Sequence, residues 1–190
     1  MSITTTGLCT SSPVLTLMPR IEIKEAHMKH AIKSVVLGLS LLLANGGAVY
    51  AQDFQKGVEA YQKKDYATAL NEWRPFAEQG NAYAQHNLGV MYDKGRGVPQ
   101  DYKEAVKWYR LAAAQGVAGA QHNLGVMYGN GQGVIQDNVY AHMWFNIAAA
   151  NGDAEAVKNR DIAMGKMTAA DISKAQDLAR ACVQKNFKGC

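Results

Sequence analysis

Ala84-Gln85-His86-Asn87-Leu88-Gly89-Val90-Met91-Tyr92 returns as Ala120-Gln121-His122-Asn123-Leu124-Gly125-Val126-Met127-Tyr128, 36 residues later. The same offset carries Gly80 onto Gly116, Gly95 and Gly97 onto Gly131 and Gly133, Asp101 onto Asp137, and Trp108 onto Trp144. A fixed period of this length predicts stacked helix pairs, each burying its apolar face against the next. The expected fold is all-α: an α-solenoid of antiparallel helix pairs, about three repeats followed by a C-terminal capping helix.

Inside the repeated stretch, Ala84, Leu88 and Met91 form one apolar stripe at helical spacing, with Gln85, Gly89 and Tyr92 beside it. A glycine inside a helix costs about 1 kcal/mol relative to alanine. Its return at Gly125 predicts a packing reason, a partner helix that approaches closely. The facing helices supply Ala105, Trp108, Ala112 and Ala113, then Ala141, Trp144, Ala148 and Ala149, as large and small members of one core.

Each second helix is punctuated at both ends. Asp65, Asp101 and Asp137 stand fifteen residues before Gly80, Gly116 and Gly152. An aspartate there accepts hydrogen bonds from free N–H groups of the first turn, and a glycine ends the helix in a left-handed conformation. Pro75 inside the first of these helices predicts a kink near Asn71 to Trp73. Gly95-x-Gly97-Val98 and Gly131-x-Gly133-Val134 superficially resemble a phosphate loop, but neither follows a strand nor carries a third glycine. They read as turns with positive φ, with Val98 and Val134 plugging the core. Thr168 to Asp171 reads as a capping box opening a last helix whose apolar face holds Ile172, Ala175, Ala179, Cys182 and Val183.

The start of the chain lies outside the period. Lys29, His30 and Lys33 precede an apolar run from Ser34 to Ala44, then small residues up to Ala51. This is the order of a secretory signal peptide, and Met28 suits the role of initiator better than Met1. A membrane span needs ~20 apolar residues, about twice this run, so the expectation is cleavage after Ala51 and no stable membrane anchor thereafter. Residues 1–51 are then an N-terminal extension and leader, and 52–190 the repeat domain, with units at about 53–79, 80–115, 116–151 and an end unit at 152–190. The formal net charge of +4 falls to +2 without the leader. No basic, aromatic-interleaved surface of the nucleic-acid-binding kind remains. Cys182 and Cys190 survive the cut without a neighbouring histidine or further cysteine, so a disulfide in an oxidising compartment is expected rather than zinc.

Taken together, Ala-x-x-x-Leu-Gly-x-x-Tyr, the Gly-x-Gly-Val turn, the aspartate cap, Ala-x-x-Trp and the Ala-Ala-x-x-Gly ending resemble the Sel1-like repeat family, a relative of the tetratricopeptide repeat. The resemblance covers nearly all of 53–182. It implies scaffold or adaptor work between proteins, with a concave face lined by the first helices. The residues left on that face after core assignment are Tyr83, His86, Asn87, Val90 and Lys94, with His122, Asn123, Val126 and Asn130 in the next unit. That mixture of donors, apolar contacts and little charge suits a protein or peptide partner. His86, His122, Asn87 and Asn123 can equally brace neighbouring helices.

An alternative is a secreted hydrolase acting on peptidoglycan-like or β-lactam substrates, to which some disulfide-rich relatives are linked. Hydrolysis needs a nucleophile with a base, or paired carboxylates, in one pocket. The repeat places no acidic pair beside His86 or His122, and both cysteines read as structural, so catalysis is not expected. Nor is a cofactor. Zinc held by the two histidines would need ligands that the phase does not supply.

Overall fold

The computed structural model describes residues 54–190, which form eight helices. They are α1 (54–62), α2 (Tyr66–Glu78), α3 (Ala82–Lys94), α4 (Tyr102–Ala113), α5 (Ala118–Asn130), α6 (Asn138–Ala150), α7 (Ala154–Met164) and α8 (Ala169–Gln184). The predicted leader and its cleavage point lie outside the described residues. Helix by helix, α2 packs on α3, α3 on α4, α4 on α5, α5 on α6 and α6 on α7, while α3 also touches α5. This is an all-α solenoid.

Local chemistry sets the helix ends. Asp101 accepts hydrogen bonds from the N–H groups of Lys103 and Glu104, and Asp137 from those of Val139 and Tyr140. Asp65 caps α2 through Thr68, and Asp153 does the same for α7 through Glu155 and Ala156. Each such cap is worth about 1 kcal/mol. Gly80, Gly116 and Gly152 follow their helices at φ of 95°, 85° and 97°. Pro75 lies within α2, which runs through it to Glu78.

Two Gly-x-Gly turns do more than reverse the chain. A Cβ at Gly97 would lie 2.7 Å from the Tyr66 carbonyl oxygen, and one at Gly133 would lie 2.3 Å from that of Tyr102. The turn therefore sits directly on the start of the preceding unit's second helix, at a distance only glycine permits. Beneath it, Val98 and Val134 are partly buried against the core.

Between the paired helices, Ala84, Leu88 and Met91 are fully buried, as are Ala120 and Leu124, with Met127 nearly so. Burial of a Leu or Met side chain contributes roughly 1.5–3 kcal/mol. Gly57, Gly89 and Gly125 each receive an aromatic ring from the facing helix: Trp73, Tyr109 and Phe145. Tyr109 and Phe145 each stand one residue after the expected tryptophan, Trp108 and Trp144. Trp144 is buried all the same, and Trp108 partly so.

Buried amides tie adjacent units. Gln85 donates to the Ala77 carbonyl and accepts from Gln115, whereas Gln121 donates to Ala113 and accepts from Asn151. Each thus adds a second donor to a carbonyl in the last turn of the preceding helix, which already accepts from the N–H of Gly80 or Gly116.

The end unit departs from the hairpin pattern. Ala156 and Ala163 of α7 pack against Ala141, Phe145 and Ala148 on one side of α6. On another side, Ala179 and Cys182 of α8 pack against Met143 and Ile147. The capping helix therefore covers α6. The Thr168–Asp171 capping box is present, but Val183, expected on the apolar face, is 48% exposed, and Leu178 is packed there instead. Cys182 and Cys190 are joined, their Cα atoms 5.7 Å apart. The short loop between them presents Phe187 to Gly116 at the turn between α4 and α5.

Candidate functional site

The predicted face is built from α1, α3, α5 and α7. Tyr83, in the first turn of α3, is 67% exposed. His86 is half-buried, its ring centre 5.9 Å from that of Tyr109, and burial pushes its pKa down, opposed by a hydrogen bond that the ring donates to Asn87. Lys94 is exposed and pairs with Asp93 at 2.9 Å.

In the next unit, His122 meets Phe145 edge-on at 5.5 Å and bonds Asp153 through Nδ1 at 3.0 Å. Asn130, exposed, donates to Gln132. The carboxylate at His122 is single and comes from the N-cap of α7, a neighbour the repeat phase did not suggest.

A regular cross-repeat contact organises these residues. The Asn123 amide donates to Nε2 of His86 at 3.3 Å, and the Asn159 amide to Nε2 of His122 at 3.1 Å. An accepting Nε2 puts the ring proton on Nδ1, the nitrogen that His122 turns toward Asp153. The pairs His86–Asn123 and His122–Asn159 are therefore struts between successive first helices. Behind the first strut, the Tyr109 hydroxyl is buried beside Asp93 and Asn123, and desolvation raises its pKa far above the usual phenol value.

Two clefts open on this face. One of about 350 Å³ lies between α1 and α3, lined by Val58, Tyr61, Trp73, His86, Asn87 and Val90. The other, of about 240 Å³, lies between α5 and α7, where Val126, Phe145 and Ile162 form an apolar floor beside Asn130, Asn159 and Lys166. Two rows thus cross the face: Val90, Val126 and Ile162 form an aliphatic row, with Asn87, Asn123 and Asn159 beside it. The 36-residue phase continues into α7 and would have found Asn159, Ile162 and Lys166, although the surrounding motif words are gone there. The α1 contribution was harder to find. Its turn is shorter, so Gly57 matches Gly89 at an offset of 32.

Among the described residues, no group of three or more His, Cys, Asp or Glu side chains could hold a metal ion. None of the described helices is long and apolar enough to cross a membrane.

The fold and the face define a helical-repeat solenoid that presents a side-chain surface on its first helices. The chain carries two Sel1 repeats: the Sel1 repeat model matches residues 82–117 and 118–153. Such repeats typically build protein–protein interaction scaffolds. A protective antigen present in uropathogenic Escherichia coli strains, displaying an SLR fold, is similar over 73% of this chain at 30% identity, with a TM-score of 0.68. A Sel1 repeat protein from Oxalobacter formigenes is similar over 56% of this chain at 37% identity, with a TM-score of 0.54. The matches cover 31% and 44% of those two proteins, so the chain spans less than half of either. No curated protein matches the sequence.

Proposed function

We propose that the chain is an exported adaptor, working in the bacterial envelope or outside the cell, that binds a protein partner through its first-helix face. The observation that carries this reading is the aliphatic row itself. Val90, Val126 and Ile162 repeat in phase, yet they line open clefts flanked by amides. Repeated apolar side chains on an open face, bordered by hydrogen-bonding groups, suit a peptide or a helix of another protein. Export is supported by the leader pattern ending at Ala51 and by the Cys182–Cys190 disulfide, a bond that persists in oxidising compartments.

Photocrosslinkers placed one at a time at Tyr83, Lys94 and Asn130, and for comparison at Lys107 and Leu111 on α4, test the face in the envelope fraction. Crosslinks to one protein from the first set alone are expected. Equal crosslinking from both sets would overturn the assignment. The N-terminus of the protein recovered from that fraction checks export, with Gln52 expected as the first residue.

A further inference from the structure

The two clefts differ in shape, chemistry and charge, and the differences specify a partner. The α1–α3 cleft is the larger and is walled by aromatic rings, Tyr61 and Trp73. The α5–α7 cleft is smaller, with the aliphatic side chains of Val126 and Ile162 over the Phe145 ring. Between them the His86–Asn123 strut closes the floor of the face. Packed helices lie about 8–10 Å apart, so clefts two first-helix steps apart are separated by roughly 20 Å. An extended chain covers that distance in about six residues at ~3.3 Å each.

Charge complementarity adds the third element. Lys158 and Lys166 of the α7 end are exposed, and neither is bridged to a carboxylate among the described residues. Two acidic groups on this face are already engaged: Asp93 with Lys94, and Asp153 with His122. Glu155 stands in the first turn of α7, three residues before Lys158 and at the other end of the helix from Lys166, so Lys166 carries the larger share of the uncompensated charge.

Resting on the adaptor reading above, we infer that the occupant is an extended acidic segment of a partner protein with two apolar anchors about six residues apart. An aromatic anchor enters the α1–α3 cleft and a branched aliphatic anchor enters the α5–α7 cleft. One or more Asp or Glu side chains beside the aliphatic anchor meet Lys158 and Lys166. The asparagine row runs alongside, where its side chains can bond the backbone of an extended chain.

The test is selection of random peptides of about twelve residues, displayed on phage, against the full chain, followed by affinity measurements on synthetic copies of the winners. Enriched peptides are expected to carry an aromatic and a branched aliphatic residue about six apart, with an acid next to the latter. Reversing both charges, Lys158→Glu with Lys166→Glu, should weaken those peptides roughly five- to tenfold at low salt. Selection against that variant should return Lys or Arg at the acidic position. Both lysines are exposed, so helicity should be unchanged. Peptides that lack the spacing or the acid, yet lose binding on Ile162→Glu, would overturn this inference and leave the face intact. No enrichment, or binding indifferent to Ile162→Glu and Tyr83→Ala, would overturn both.

Discussion

Asn123 on α5 donates its side-chain amide to Nε2 of His86 on α3, 3.3 Å away, and the contact recurs one repeat on between Asn159 and His122. The bond joins successive first helices directly, where α3 and α5 otherwise touch little of each other. It should therefore report on the stacking of units rather than on the stability of either helix. His86→Ala and Asn123→Ala should each destabilise the fold by about 0.5–1.5 kcal/mol. The double variant should fall short of the sum by about 0.5 kcal/mol or more, the signature of a shared contact. Urea denaturation of the four proteins measures this, and strict additivity would show the two side chains to be independent.

Three glycines within helices of the same unit type make opposite predictions. A methyl group at Gly89 would lie 2.4 Å from the Tyr109 ring, and at Gly125 it would lie 2.6 Å from Phe145. Either substitution by alanine gains about 1 kcal/mol of helix propensity but forces an aromatic ring from its seat, at a cost of about 1–3 kcal/mol. Gly129→Ala meets nothing nearer than 3.7 Å. It should stabilise by about 0.5–1 kcal/mol. Thermal melts should rank Gly129→Ala above the parent and the other two below it.

His142 is buried and its Nδ1 has no hydrogen-bond partner among the described residues. The repeat places Val106 and Leu70 at the equivalent positions. Replacing the histidine with valine removes an unsatisfied polar atom of the kind that costs about 1–3 kcal/mol. His142→Val should raise the melting temperature at neutral pH.

Acid should destabilise the protein in two stages. Burial lowers the pKa of His86 and of His142 below 6.5, with Arg160 lowering the latter further. A folded state that prefers neutral rings is fully stabilised by them above pH 6.5. That contribution is lost as pH falls from there toward the folded values. Asp65 and Asp171 are lowered as well, but from the carboxylate range. Their bonds to Thr68 and Thr168 hold them below 3.8, so their contribution disappears only in strong acid. Melting temperatures should decline between pH 7 and 5, and His142→Val should flatten that decline. An unchanged slope in the variant would remove His142 from the account.

The Cys182–Cys190 bond closes a short loop that holds Phe187 against the α4–α5 turn. Chain entropy puts the stabilisation from such a loop at about 2–3 kcal/mol. Cys182→Ser with Cys190→Ser should lower stability by that amount and free the tail. Hydrogen exchange would show faster exchange at Phe187 and in the last turn of α8. Protection unchanged throughout α8 would mean that its packing on α6 suffices alone.

The sequence by itself determined the helices, their ends and their repeat. Asp101, Asp137, Gly95 and Gly131 act within a few residues of themselves, so their signals are local and readable. The period of 36 then implied stacking, because neither helix of a pair can bury its stripe alone. The candidate face was legible for α3 and α5, where the motif words repeat, and only partly elsewhere.

What tertiary structure alone decided lies between units. The aromatic seated on each glycine proved to be Tyr109 and Phe145, because the angle between paired helices chooses which side chain points across. The link from His122 to Asp153 and Asn159 depends on how far α7 rotates against α5. Likewise, nothing local in α8 says that it lies along α6, since an apolar stripe names the need for a partner but not the partner. Contacts across repeats follow the stacking geometry, which is a property of the assembled pairs.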